Sequence, residues 1–165
     1  MIEYQFKEYT KDYCINLMQQ ICKENDLKLI FLKKDEGKGG YNYGSCSIDE
    51  IMLAPFIGNG AIEKQFISFF HEFAHLKLEK NIPGKLKGYC VNNTSAMQYE
   101  LWVTMLGITY AKEKYGIIFS DEAVQWLIKQ NFTYMNSIGG ENCCLDKFNK
   151  YSYRLKYYHI KAKNE

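Results

Sequence analysis

Apolar positions along the chain fall into runs with different periods. Between Lys11 and Lys23, Cys14-Ile15, Met18 and Ile21-Cys22 recur at three- and four-residue steps, which predicts a helix with one apolar face. After the turn-forming pair Asn25-Asp26, the apolar run Leu27 to Leu32, broken only by Lys28, predicts a strand. Tyr41 to Ser47 and Glu50 to Ala54 predict two more strands joined by a tight turn centred on Asp49. From Ala61 to Glu79, Ile62, Phe66, Phe69, Phe70, Phe73 and Leu76 return to the helical period. Asn59-Gly60 caps that helix, Glu63 in its first turn suits the helix dipole, and Ile82-Pro83-Gly84 stops it. Ser95-Ala96-Met97-Gln98 reads as a capping box opening a helix that runs to about Tyr115-Gly116. Ser120-Asp121-Glu122 opens another, ending near Gln130, before Ser137-Ile138-Gly139-Gly140 breaks the chain.

Helix, short sheet, two long helices and a mixed C-terminal part together predict an α+β fold. A length of 165 residues predicts one domain over the whole span 1–165. With 47% apolar residues, 14 Tyr and 10 Phe, there is material for a packed core. No apolar run reaches the roughly 18 residues of a membrane span, so no membrane partner is expected. The start, Met1-Ile2-Glu3-Tyr4-Gln5-Phe6-Lys7-Glu8, has neither the basic nor the apolar region of a secretory signal, which predicts a cytoplasmic location. In that reducing compartment the six cysteines are expected as free thiols, mostly small hydrophobes, since none is spaced C-x-x-C. A net charge of +2 selects no partner. Gly37-Lys38-Gly39-Gly40 lacks the G-x-x-x-x-G-K-[ST] spacing of a phosphate loop and reads as a hairpin loop.

Chemistry concentrates in His71-Glu72-Phe73-Ala74-His75, on the helix predicted from Ala61. This is the H-E-x-x-H pattern. Two histidines four positions apart project from one helical face and can bind one Zn²⁺, with Glu72 beside them as general base towards water. Of three histidines in the chain, two stand in this arrangement. The competing reading is two histidines and a glutamate on a solvated face; the neighbouring phenylalanines favour the metal.

A hydrolytic zinc site takes a third protein ligand and keeps a fourth position for water. A metzincin would need glycine at 78 and histidine at 81, where the chain has Leu78 and Asn81. The other route is a carboxylate from a following helix. Glu100 lies 25 residues after His75, and Val103, Thr104, Gly107 and Ala111 continue its face with mostly small side chains that let two helices approach. Glu79 shares the histidine helix and Glu113 lies far along the next one, which leaves Glu100 as the best candidate, against the plainer reading of a surface glutamate.

Three features are similar to one family: the extended stretch Glu50-Ile51-Met52-Leu53-Ala54, the helix with His71-Glu72-Phe73-Ala74-His75, and the helix opening near Tyr99-Glu100-Leu101-Trp102-Val103. Together, over roughly positions 10 to 115, they resemble the ImmA/IrrE-type metallopeptidases, small cytoplasmic gluzincin-like domains whose known members act on transcriptional regulators. The resemblance implies a zincin-like domain with a short three-stranded sheet packed on the H-E-x-x-H helix and a second ligand-bearing helix. It implies His71, His75 and Glu100 as zinc ligands, Glu72 as the general base, and peptide-bond hydrolysis in a protein or peptide substrate, including such a regulator. Val103 stands where the family usually has alanine, and the chain lacks the helix-turn-helix that many members carry. The alternative reading keeps the zinc but not the hydrolysis, as in a sensor or docking module; a third has a structural metal in a nucleic-acid-associated regulator. The strand Glu50 to Ala54 is the expected edge for an extended substrate.

Lys147 to Lys163 carries five lysines and one arginine among Phe148, Tyr151, Tyr153, Tyr157 and Tyr158. Basic groups with aromatics are the raw material of nucleic-acid binding. Tyr151, Tyr153, Leu155 and Tyr157 also alternate with Ser152, Arg154 and Lys156, as in a strand with one solvated basic face, and this stretch is assigned to structure or partner docking. His159 is a candidate for oxyanion stabilisation, set against the commoner role of a lone histidine as partly buried structure.

Overall fold

The computed structural model describes residues 9–32, 44–46, 49–54, 61–78 and 93–139, with backbone alone at 44–46, 61, 93–99 and 131–139. Expectations for the N-terminal start, the glycine-rich loop at 33–40, the Asn59-Gly60 cap, the stop at Ile82-Pro83-Gly84, Glu79, Cys90, Cys143-Cys144, and the basic stretch with His159 fall outside these residues. Helices are mixed with strand, as the patterning predicts: α1 (Lys11–Glu24), β1 (Lys28–Phe31), β2 (Gly44–Cys46), β3 (Glu50–Leu53), α2 (Ala61–Lys77), α3 (Asn93–Tyr115) and α4 (Asp121–Gly139).

Thr10 caps α1 by accepting from the Tyr13 N–H at 3.2 Å, and Cys14, Met18, Ile21 and Cys22 form its buried face. At the other end the Asn25 amide donates to the Ile21 carbonyl at 2.8 Å, and Asp26 takes a left-handed φ of 54°. Asp is among the few side chains that tolerate that region, so the pair turns the chain directly into β1. β1 then pairs in parallel with β3, Lys28 opposite Glu50 through Phe31 opposite Leu53. Along β3, Ile51 and Leu53 are buried and the residues between them are not, the two-residue period of a strand with one face on a core.

That core surrounds α2. Seven consecutive residues, Gln65 to His71, are buried, followed by Phe73 and Ala74, so α2 is a central helix rather than the one-faced helix its spacing predicts. The reason is the number of neighbours: α1, β2, β3, α3 and α4 all pack against it. Phe66 meets Phe70 and Phe119 edge to face at centroid distances of 5.2 and 5.9 Å, and Phe73 stacks on Tyr110 at 5.1 Å. Polar residues on this helix have definite partners. Gln65 donates to the Ala54 carbonyl at 3.3 Å, tying α2 to the end of β3. Glu63 accepts from the Ser120 backbone N–H at 2.6 Å and from its hydroxyl at 3.0 Å, clamping the start of α4 onto the first turn of α2.

Two predicted boundaries are corrected. Helix α3 begins at Asn93, so Ser95 is a helical residue and not the cap. A capping box is a local preference of about 1 kcal/mol, and nothing in Asn93-Thr94 forbids an earlier start. Helix α4 continues past Gln130 to Gly139, because Asn131 to Ser137 contains weak helix formers but no proline. At the end of α3, as predicted, Gly116 has φ +66° and donates to the Lys112 carbonyl at 2.9 Å, the left-handed stop that glycine adopts without strain. Among the described residues no helix is long and apolar enough to cross a membrane.

Candidate metal centre

Residues 71 and 75 are one helical turn apart on α2, and their rings lie edge to face with centroids 4.8 Å apart. Helix α3 crosses this turn closely because of Gly107. A Cβ built there would meet the Phe70 carbonyl oxygen at 2.5 Å and the His71 nitrogen at 3.2 Å. With hydrogen in that position, the backbones approach and Glu100, two turns earlier on α3, reaches the histidines. Ala74 and Val103 are both fully buried and pack in one small cluster with Leu78 and Leu106, so valine at 103 is accommodated beside the site.

Three donor atoms converge. Glu100 Oε2 lies 3.0 Å from His71 Nε2 and 3.3 Å from His75 Nε2, and the two nitrogens are 3.2 Å apart. A tetrahedral ion bound at about 2.0–2.1 Å, as zinc is, needs donors about 3.3–3.4 Å apart. The observed triangle matches that edge within a few tenths of an ångström. Among the described residues this is the cluster of histidine and acidic groups able to hold a metal ion, and it is buried at His71 and Glu100. Glu113, the rival on α3, is exposed and 13 residues further along, about 20 Å by helical rise.

Two contacts around the cluster bear on which atoms carry protons. The Thr104 hydroxyl donates to the Glu100 carbonyl at 2.9 Å, an oxygen that can only accept. With its one proton so used, the hydroxyl oxygen accepts from His71 Nδ1, 2.9 Å away. That direction favours a ring proton on Nδ1 of His71, with Nε2 turned towards Glu100. A nitrogen lone pair and a carboxylate oxygen at 3.0 Å repel unless a cation, a further proton or a metal ion, sits between them. Burial acts to raise the pKa of Glu100, but hydrogen bonds and charge from His71 and His75 in their protonated forms outweigh this and hold it down to about 2. The carboxylate is ionised and oriented, as a metal ligand has to be.

Glu72 is half-buried beside His71 and does not belong to the converging triad. Between Gln65 and Ala74 the one position that retains exposure is Glu72, and His75 just beyond is also half-buried, so this side of the helix meets solvent. Thr104 was legible in the sequence only as a small residue on the Glu100 face. Its position four residues after Glu100 is the available signal, but its partner depends on how the helices cross. No protein-family model, curated protein or solved structure matches the chain.

Proposed function

We propose that this chain is a zinc-dependent metallopeptidase of the gluzincin type, hydrolysing a peptide bond in a protein or peptide substrate. The observation that supports it most is the triangle of His71 Nε2, His75 Nε2 and Glu100 Oε2 with edges of 3.0–3.3 Å. Two imidazoles and one carboxylate form a donor set that zinc and non-haem Fe(II) both accept. Glu72, one residue after a ligand and on the solvent-reached side, favours hydrolysis and therefore zinc. A zinc ion there would supply Lewis acidity, polarising the scissile carbonyl and acidifying water. Glu72 takes the proton from the attacking water and passes it to the leaving amine, while the enclosed walls of α2 and α3 limit access from other sides.

The zincin-like arrangement is part of the same reading. β2 stands antiparallel to β3, Gly44 opposite Leu53 and Cys46 opposite Ile51, which supports a three-stranded sheet in the order β1-β3-β2 before the metal helix. In that sheet β3 is central, so the expectation that β3 offers an edge to an extended substrate gives way to its flanking strands. A repressor-like regulator is the substrate class implied by the ImmA/IrrE-type resemblance.

Metal analysis and a cleavage assay on proteins encoded beside this one test the proposal. Wild type should carry about one zinc per chain, His71→Ala none, and Glu72→Gln should keep the metal while losing cleavage. Full zinc in His71→Ala removes the site as drawn. Cleavage that survives Glu72→Gln removes the base, and zinc without cleavage of any neighbouring product points to a sensor or docking module.

A further inference from the structure

We propose that Thr104 is a positioning residue that fixes the tautomer of His71 and joins two of the three ligands into one unit. The inference rests on the metal-site reading above and adds a residue to it. Thr104 is 1% exposed on the inner face of α3. Its hydroxyl is the middle link of a chain running from His71 Nδ1–H to Thr104 Oγ1 at 2.9 Å, and from Thr104 Oγ1–H to the Glu100 carbonyl at 2.9 Å. Both ends of this chain belong to the triad.

A neutral imidazole offers a metal only the nitrogen that lacks hydrogen, and in water the Nε2–H form is readily populated. A hydroxyl can donate or accept and would by itself leave the choice open. Here the choice is closed, because the carbonyl of Glu100 cannot donate and takes the hydroxyl proton. The acceptor side of Thr104 then selects Nδ1–H on His71 and leaves Nε2 bare, 3.0 Å from Glu100 Oε2. The same bond fixes the ring plane, which a single Cβ–Cγ rotation would otherwise carry out of the triangle. Since Thr104 follows Glu100 by one helical turn, the bond also ties His71 of α2 to the backbone of the α3 ligand. Outer-shell partners of this kind contribute about 10–100-fold in metal affinity.

The test compares Thr104→Val, which keeps the shape and removes the hydroxyl, with Thr104→Ser, which keeps the hydroxyl and removes a methyl. Zinc affinity is measured by competition with a chromophoric chelator, and the His71 tautomer by ¹⁵N NMR of the metal-free protein. Wild type should show Nδ1–H on His71, whether or not Nε2 also carries a proton towards Glu100. Thr104→Val should lose about 10–100-fold in zinc affinity and gain the Nε2–H form, and Thr104→Ser should stay within about threefold of wild type. Equal zinc affinity in wild type and Thr104→Val, or an equal loss in Thr104→Val and Thr104→Ser, overturns the role, the second result because it reveals packing alone. A His71 ring without Nδ1–H in wild type overturns it without reference to any variant, so a Thr104→Val chain that does not fold leaves the proposal decidable. Absence of zinc binding in wild type fails the metal-site reading instead, and the tautomer still decides the part played by Thr104.

Discussion

A buried side chain is defined as much by what it cannot do as by what it contacts. Glu100 is 8% exposed, where an ionised carboxylate without partners would be strongly disfavoured, yet the two histidines in their protonated forms hold its pKa at about 2. Cys14 and Cys22 show the opposite case, with no charge opposite them. Burial pushes both thiols up from 9.0 to about 11, and they are 0% and 2% exposed. A neutral, enclosed thiol is a poor nucleophile. In native protein at pH 8 an alkylating reagent should leave both unmodified, and peptide mapping after unfolding should find both labelled; rapid native labelling at either contradicts this. The raised values also have a sign for stability. The neutral thiols' contribution is complete below the unfolded value of 9.0 and is lost as pH rises through about 11, so melting temperature should fall across that window.

Between elements, the crossing of α2 and α3 decides whether the ligands meet. In an ordinary exposed helix, changing Gly107 to Ala would stabilise by about 1 kcal/mol, since glycine has the larger entropy to lose. Here the added methyl would lie 2.5 Å from the Phe70 carbonyl oxygen, and the obstacle is backbone, which cannot rotate away. Gly107→Ala should therefore destabilise by about 1–3 kcal/mol, a fall of several degrees in melting temperature. As α3 moves off α2 it takes Glu100 with it, so zinc affinity should fall in the same variant. A melting temperature at or above wild type would show that the helices do not approach as described. Glu63, clamping α4 through Ser120, holds another pair of elements, eight residues before His71 and about 12 Å by helical rise.

At the scale of the whole molecule, metal and fold are linked, because the ligands come from two helices and converge only in the folded chain. A metal that binds the folded form and not the unfolded one stabilises it by about 2.7 kcal/mol at a hundredfold excess over Kd. For a chain of this size that is a rise of roughly 5–10 °C in melting temperature. Zinc should raise the melting temperature of wild type by this amount and a chelator should reverse it, while His71→Ala should show neither change. A shift of equal size in His71→Ala would place the stabilising metal elsewhere. Five elements pack around α2, so stabilising its metal-bearing turn stabilises the layer they share.

Local chemistry made part of this protein readable from residues in order. Helical spacing is set by backbone hydrogen bonds four residues apart, so His71 and His75 share a face whatever surrounds them, and Gly116 ends α3 because a left-handed residue is needed there. The small residues after Glu100 pointed to a close helix approach for the same reason. What lies on the other side of that approach is not a local property. The burial of α2 on every side, the convergence of Glu100 and not Glu113, and the choice of Thr104 as partner of His71 depend on the separation and angle of two helices. Those are set by the summed packing of side chains from α1, β3, α3 and α4. Residue pattern determined which groups could form a metal site; tertiary packing decided that three of them meet within 3.3 Å, and which nitrogen of His71 faces the others.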